Sequence, residues 1–138
     1  MSAVKGIYVL IIKIDTTKSL KIGALGEILF PAGTYAYVGS AQSSIEYRVK
    51  RHMRKEKRLF WHIDYLLVDT AVKIVQTYYL TGDKTCECQT AQFIAQHSES
   101  VPKFGCSDCH CKSHLFYSDN FAFLKKYSVR QLTLSSTW

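Results

Sequence analysis

The sequence predicts a domain of the α/β (α+β) class: a small, mainly antiparallel sheet flanked by helices. Three stretches predict this fold. Gly6–Ile14 is a continuous run of apolar and β-branched residues, which is typical of a central strand buried on both faces. Residues 34–39 alternate with the period of a strand, which places Tyr35 and Tyr37 on one face. Residues 45–52 are basic and carry their apolar side chains at helical spacing.

Turn residues divide the segment before the basic helix into short strands. Residues 15–18 and 31–33 have turn chemistry, and residues 20–30 have the composition of short strand pieces around two glycines. These segments predict an antiparallel meander that leads into the strand ending at Gly39.

The start of the basic helix carries a capping-box pattern. Ser43 is followed three residues later by Glu46, so the helix is expected to begin at about Ser44. A turn of 100° per residue places Arg48 and His52 at the edge of the buried stripe, on the side of the two tyrosines. The residues predicted to form the buried stripe are Ile45, Val49 and Met53.

The second half of the chain alternates further helices and strands. The expected elements are a short helix or turn at 60–67, a strand at 71–80, a helix at 86–96 with Thr85 as N-cap, a final short strand at 115–117, and helical spacing at 120–127. The helix at 86–96 carries Glu87 in its first turn, where the backbone dipole alone favours an acidic residue. Residues 131–138 are polar and are expected to fray.

Length and composition predict one domain. The chain has 138 residues, 47% of them hydrophobic, and domains typically contain about 100–150 residues. We therefore expect a single domain over residues 1–130 and a C-terminal tail over 131–138.

The charge of the chain is concentrated in one place. Eighteen Lys and Arg residues stand against eleven Asp and Glu, a net charge of +7, and seven of the basic residues lie between Arg48 and Arg58. A local basic patch predicts a polyanionic partner, most simply nucleic acid. The alternative is a solvated helix face that only keeps the protein soluble. The tyrosines that converge on the same place favour nucleic acid, with Arg51, Lys55 and Arg58 as the expected contacts.

No run in the sequence has the length of about 18–20 apolar residues that a membrane span requires, and the N-terminus lacks a secretion signal. A cytoplasmic protein with reduced thiols is therefore expected. The odd number of cysteines, five, also argues against a framework of disulfides.

Three motifs in order resemble the GIY-YIG nuclease superfamily. They are Gly6-Ile7-Tyr8, Tyr37-Val38-Gly39 and Arg48-Val49-Lys50-Arg51-His52. This superfamily includes intron-homing endonucleases and the incision subunit of bacterial nucleotide-excision repair. Two further motifs, at 61–67 and 104–115, are similar to a divergent branch that is sometimes fused to endonuclease III-type DNA glycosylases. The resemblance spans most of the chain, from Gly6 to Phe116.

The resemblance implies a metal-dependent DNA endonuclease, with a role in DNA repair or processing. It implies that Tyr8 is the base, that Tyr37 orders the water or the metal shell, and that Arg48 neutralises the phosphate. His52 would hold Tyr8 or the phosphate. DNA is the implied partner, with a repair glycosylase or another repair protein as a further partner.

The resemblance also implies one Mg²⁺ or Mn²⁺ ion held by an acidic residue of the later helix. Glu87 is the expected ligand, because one carboxylate with water and phosphate oxygens is a normal Mg²⁺ arrangement. Gln92 is the alternative occupant of that position. If neither binds a metal, the chain is a catalytically silent nucleic-acid-binding module of the same fold.

A second cluster lies near the C-terminal end and contains Cys106, Cys109, Cys111 and His114. Three thiols and an imidazole can complete a tetrahedral Zn²⁺ site, although these four residues are not split into two separated pairs. The other readings are reduced cysteines that pack a tight loop, and a His114 that lies by the cleft. A bound zinc ion would make the chain a metal-binding interaction protein whose basic helix docks a protein partner.

His62 is the last candidate. The resemblance implies that a histidine near this position assists the active site. His62 and Asp64 are two residues apart, so on a helix they point to different sides and make a poor metal pair. A hydrogen-bonded, structural His62 is the alternative.

Overall fold

The computed structural model describes residues 5–41, 43–105, 113–126 and 130–131. Its strands are β1 (Gly6–Ile14), β2 (Lys18–Lys21), β3 (Glu27–Phe30), β4 (Gly33–Ala41), β5 (Val72–Leu80), β6 (Glu99–Ser100), β7 (Leu115–Ser118) and β8 (Arg130–Gln131). Its α-helices are α1 (Ile45–Met53), α2 (His62–Leu67) and α3 (Lys84–Ala95), and short 3₁₀ helices cover Gly23–Leu25 and Ala122–Lys126. The predicted mixed fold is confirmed.

Strand β1 is the centre of a sheet that has six strands within the described residues. The strand order is β6-β7-β4-β1-β5-β8, all neighbouring strands are antiparallel, and β2 and β3 form a separate two-stranded sheet. Every residue of β1 is buried except Lys13, which confirms the central strand predicted at Gly6–Ile14. Its register places Tyr8 opposite Gly39 of β4 and opposite Tyr79 of β5.

Helices cover both faces of this sheet. Helices α1 and α2 pack on the face that carries Tyr8, Tyr35 and Tyr37. Helix α3 packs on the opposite face, where Ala36 and Val38 lie. The predicted alternation of β4 is therefore confirmed. Within the described residues, no helix is both long enough and apolar enough to cross a membrane.

Helix α1 differs from the prediction at both ends. Its N-cap is Ser44 rather than Ser43, because the extended Ser44 presents its hydroxyl to the backbone N–H of Tyr47. Met53 does not continue the buried stripe, since it is the last helical residue and its side chain is 42% exposed. His52 is buried instead, held by a hydrogen bond to the sheet that helical spacing alone does not reveal.

Two later predictions are also corrected. The N-cap of α3 is Asp83 rather than Thr85, because the Asp83 carboxylate accepts the backbone N–H of Thr85. Gln131 does not belong to a fraying tail, since it lies in β8 and pairs with Tyr78 of β5. Strand β7 is therefore not the final strand. Residues 132–138 lie outside the described residues.

Candidate active site

A buried hydrogen bond between a tyrosine and a histidine lies at the centre of the site. The hydroxyl of Tyr8 is 2.7 Å from Nε2 of His52, and the two residues are 2% and 1% exposed. Strand β1 supplies the tyrosine, and the last turn of α1 supplies the histidine. Burial raises the pKa of Tyr8 well above its usual range, against the lowering effect of Arg48. The phenol therefore keeps its proton. Because the Arg48 side chain also hydrogen-bonds to Tyr8 and a guanidinium can only donate, we assign the phenol as the donor to Nε2 of His52.

Gly39 makes room for the Tyr8 ring. A Cβ atom built on Gly39 would lie 2.5 Å from the Tyr8 hydroxyl oxygen and from the ring carbon that carries it. The ring of Tyr8 thus lies over the backbone of its cross-strand neighbour, at a distance that any larger residue would prevent. A glycine is required at position 39 by this close approach and not by a positive φ.

His52 is a neutral imidazole that lies among three aromatic rings. Its ring centroid lies 5.4 Å from that of Tyr8, 6.1 Å from that of Tyr37 and 6.1 Å from that of Trp61. Burial, with help from the positive charge of Lys57, lowers the pKa of His52 to about 3. Because Nε2 accepts from Tyr8, the ring proton is assigned to Nδ1, an atom with no hydrogen-bond partner within the described part of the chain.

We expect the stability of the protein to fall as the pH is lowered from 7 toward 4. His52 titrates near pH 6.5 when unfolded and much lower when folded, so the unfolded state binds the extra proton in this window. The free energy of unfolding should then drop by about 1.4 kcal/mol per pH unit for one such group. Thermal or urea unfolding measured across this range checks it.

The matched variants are His52→Gln and His62→Gln. Burial lowers the pKa of His62 as well, so His62 adds to the slope with the same sign. The pKa of Asp64 is shifted down from an already acidic value, so Asp64 acts below this window. His52→Gln should flatten the slope more than His62→Gln, and an unchanged slope in His52→Gln would contradict the burial argument.

Arg48 lies beside the Tyr8–His52 pair. Its guanidinium donates to the carbonyl oxygen of Ser40 at 3.1 Å and stacks on the indole of Trp61, 4.7 Å from the ring centroid. These two contacts fix the long side chain, and its charge is close enough to favour the anionic form of Tyr8. The predicted convergence of a tyrosine and an arginine at this place is therefore present in the structure.

Tyr37 lies next to the Tyr8–His52 pair. Its side chain is 9% exposed and contacts the edges of His52 and Phe104. Burial raises the pKa of Tyr37 well above its usual range, and the neighbouring Tyr8 raises it further. Tyr37 is therefore a neutral phenol at physiological pH, suited to hydrogen bonding and not to charge.

Arg51 has a structural partner. Its guanidinium binds the fully buried carboxylate of Asp64 through two bonds of 2.9 and 3.1 Å, and it also donates to the carbonyl of Arg58. The same carboxylate accepts the backbone N–H groups of Phe60 and Trp61. Burial alone would raise the pKa of Asp64, but these donors together lower it. The ion pair thus holds the loop before α2 against α1.

Lys55 and Arg58, the other two expected DNA contacts, lie in different surroundings. The Lys55 ammonium donates to three backbone carbonyls at the end of α2 and the start of β5, at 2.6 to 2.8 Å. It neutralises a helix C-terminus and the turn after it. Arg58 is exposed and lines a surface cavity next to α1.

Glu87 lies in the first turn of α3, on the same helix face as the buried Ala91. The carboxylate is 8% exposed and makes no hydrogen bond within the described residues. Its negative charge is nevertheless near enough to raise the pKa of both Tyr8 and Tyr37. Among the described residues, no group of three or more His, Cys, Asp or Glu side chains is arranged to hold a metal ion.

Comparison with known protein families matches residues 7–134 to the domain of unknown function DUF123. The chain belongs to the DUF123 family. No curated protein and no solved structure gives a significant match to it.

Two further histidines of this DUF123 domain, His62 and His114, hold the turn that precedes residues 106–112. Nδ1 of His62 accepts the backbone N–H of Gly105 at 2.8 Å. Nδ1 of His114 lies 3.1 Å from the carbonyl of Val38, and a Cβ on Gly105 would lie between His114 and Tyr37. The sequence-predicted cysteines Cys106, Cys109 and Cys111 lie outside the described residues.

Trp61 and Lys57 are the residues of the DUF123 site whose roles the sequence did not reveal. Trp61 has Arg48 and Arg51 at 4.7 and 4.6 Å from its ring centroid, so it orders two guanidinium groups. The Lys57 ammonium donates to the carbonyls of Arg51 and His52 at the end of α1. An aromatic residue that directly follows a basic run is the signal that could have pointed to Trp61.

Proposed function

We propose that this DUF123 protein is a metal-dependent DNA endonuclease of the GIY-YIG type, which hydrolyses phosphodiester bonds in DNA repair or processing. The observation that carries the proposal is the 2.7 Å hydrogen bond between Tyr8 and His52, with the Arg48 guanidinium beside it. Phosphodiester hydrolysis uses a proton acceptor for the attacking water and positive charge for the developing phosphorane, and the Tyr8–His52 pair and Arg48 can supply these two functions at one place.

The hydrogen bond gives Tyr8 a way to act as a base without becoming a stable phenolate. As water attacks phosphorus, its proton passes to the Tyr8 oxygen while the phenolic proton passes to Nε2 of His52. The new P–O bond forms as the bond to the leaving oxygen breaks. A bound phosphate brings negative charge close to His52, which raises the pKa of the imidazole and favours this transfer.

Arg48 supplies positive charge where the phosphorane develops its own negative charge. Its position is set in advance by the Ser40 carbonyl and the Trp61 ring, so no reorganisation is required during the reaction. Tyr37, a neutral phenol next to the Tyr8–His52 pair, can hydrogen-bond the attacking water or a phosphate oxygen.

The donor set fits one hard divalent cation with few protein ligands. Glu87 would hold it, because a mostly buried carboxylate without a hydrogen-bond partner in the described residues can bind an ion that keeps waters and phosphate oxygens. When bound, Mg²⁺ or Mn²⁺ stabilises charge on the phosphate and the leaving oxygen. Gln92 would give only a neutral amide oxygen, a weaker ligand for such an ion.

Positive charge around the site supports DNA as the substrate. The chain carries a net charge of +7, and the cations concentrated between Arg48 and Arg58 surround α1. Such a surface attracts a polyanionic backbone. A repair glycosylase or another repair protein remains the proposed partner.

The test is a cleavage assay with Mg²⁺ or Mn²⁺ on duplex, flap, branched and single-stranded DNA. Native protein should cut at least one of these DNAs, and EDTA should stop the reaction. Glu87→Gln, which has nearly the same shape, should abolish cleavage at low metal concentration while leaving DNA binding in EDTA unchanged. If native protein retains every DNA of the panel but cuts none with either metal, the endonuclease proposal fails.

One observation favours a second function. The side chains of Tyr8 and Tyr37 are only 2% and 9% exposed, which suits a module that binds nucleic acid through the surrounding cations without cutting it. In that case Glu87→Gln and native protein would bind DNA equally, with or without metal, and neither would release a product.

A further inference from the structure

The surface cavity that Arg58 lines lies on the solvent side of α1, away from the Tyr8–His52 pair. Its volume is about 400 Å³, within the range of about 300–1,000 Å³ that is usual for small-molecule sites. Residues of the exposed face of α1 form one wall, and the loop that leads to α2 forms the other. Neither Tyr8 nor His52 is among its described lining residues.

Cations surround this cavity, and none of its described lining residues is acidic. Arg51 and Lys57 are engaged with Asp64 and with backbone carbonyls. Arg54 and Arg58 are exposed, and their guanidinium groups make no hydrogen bond or ion pair within the described residues. Two guanidinium groups of this kind that line one cavity can bind a phosphate.

Two aromatic rings that line the same cavity are largely exposed to solvent. Tyr47 is 73% exposed and Phe60 is 68% exposed, and both line the cavity. Aromatic rings of this size normally bury most of their surface, and exposed ones beside cations are typical of platforms on which nucleic-acid bases stack. The cavity thus offers both cationic groups that can bind an anion and aromatic rings on which a base can stack.

Trp61 packs against one residue of the candidate active site and one residue of the cavity wall. Arg48, on the side of the cleft, and Arg51, on the wall of the cavity, both stack on its ring, with guanidinium carbons 4.7 and 4.6 Å from the centroid. The row formed by the Arg48 and Arg51 guanidinium groups therefore runs from the proposed cleavage site to the wall of the cavity. A DNA strand that placed a phosphate at Arg48 could continue along this row.

We propose that the cavity binds one unpaired nucleotide of the substrate, with its phosphate at Arg54 and Arg58 and its base stacked on Phe60 or Tyr47. This inference rests on the proposed endonuclease function and names its substrate class: DNA with an unpaired segment next to the cut strand. Bases inside a duplex are stacked on one another and cannot lie against a protein ring, so the cavity selects flaps and single strands over continuous duplex.

Binding of fluorescently labelled DNA in EDTA tests this selection without cleavage. The probes are a continuous duplex and the same duplex with a single-stranded flap. Phe60→Ala combined with Tyr47→Ala should weaken binding to the flap DNA about tenfold, the loss expected for one base–aromatic stack, and should leave duplex binding unchanged. Phe60→Tyr combined with Tyr47→Phe keeps both rings and should bind the flap DNA like native protein.

Leu29→Ala is the control for loss of an exposed apolar side chain elsewhere, since Leu29 is 63% exposed and does not line the cavity. Thermal unfolding confirms that each variant is folded. Equal losses on the two probes, or no loss on the flap DNA, would overturn the proposal. If the nuclease proposal alone fails, the flap preference persists without cleavage. If the cavity proposal alone fails, cleavage persists and the aromatic double variant binds like native protein.

Discussion

Gly39→Ala is expected to remove most of the cleavage activity while the protein still folds. The added methyl group would lie 2.5 Å from the Tyr8 hydroxyl, so the buried ring must move and its hydrogen bond to His52 must lengthen or break. Misplacing a catalytic group by about 1 Å can cost about 100-fold in rate. The strain in the sheet should lower stability by about 1–3 kcal/mol.

Single-turnover cleavage rates and thermal unfolding of four proteins check this expectation. They are the native protein, Gly39→Ala, Tyr8→Phe and the double variant. If Gly39→Ala acts only through Tyr8, the double variant should cut no more slowly than Tyr8→Phe. Additive losses would show that Gly39 serves the reaction in another way, and native activity in Gly39→Ala would show that the position of the Tyr8 ring is unimportant.

Arg48→Ala is expected to lower the cleavage rate by about 100- to 1,000-fold, the usual loss when one preorganised donor is removed from a transition state. DNA affinity should fall much less, because Arg48 is one cation among the several that surround α1. The charge of Arg48 also favours the anionic form of Tyr8. The same charge lowers the pKa of His52, which receives the proton at the end of the relay, so the loss of rate in Arg48→Ala should report lost stabilisation of the phosphate and not a weaker proton acceptor.

Arg48→Lys separates charge from geometry. A lysine keeps the charge, but its ammonium is a point donor that cannot stack as a plane on Trp61, so only part of the rate should return. The rate constant and the dissociation constant are measured for the same DNA. Equal losses of rate and affinity in Arg48→Ala would reduce Arg48 to a binding anchor.

Local sequence patterns were sufficient to predict the two central strands of the sheet, β1 and β4, but not the strands β6 and β8 or the separate sheet of β2 and β3. Gly6–Ile14 is apolar along its whole length, and only the centre of a sheet covered by helices buries both faces of a strand. The alternation in β4 placed Tyr35 and Tyr37 on the face of α1. These predictions succeeded because period and composition act over a few residues and the tertiary structure agrees with them.

The interior of the site depended on distant contacts that a sequence pattern does not contain. His52 replaces Met53 in the buried stripe because its ring forms a hydrogen bond with Tyr8, which lies 44 residues earlier in the sequence. Asp64 gains its role from Arg51 and from two backbone N–H groups of a loop without regular structure. Neither partner choice follows from propensity or spacing.

The sequence gives the number of charged residues, but it does not show which cations have structural partners. Lys55 and Arg58 look alike in a basic run, yet Lys55 binds backbone carbonyls while Arg58 lines an open cavity. Composition gives the total of +7, and only the fold separates cations with structural partners from cations that face solvent. For this reason the cavity beside α1 could be identified only from the structure.

The most direct test of the central claim is the single-turnover cleavage rate of Tyr8→Phe beside the native protein, on the DNA that native protein cuts best, at saturating Mg²⁺ or Mn²⁺. The change removes one oxygen atom, and with it both the base and the bond to His52. The account predicts a loss of about 100- to 10,000-fold, the usual contribution of a general base, with unchanged DNA affinity. A Tyr8→Phe variant that cuts at the native rate would contradict it.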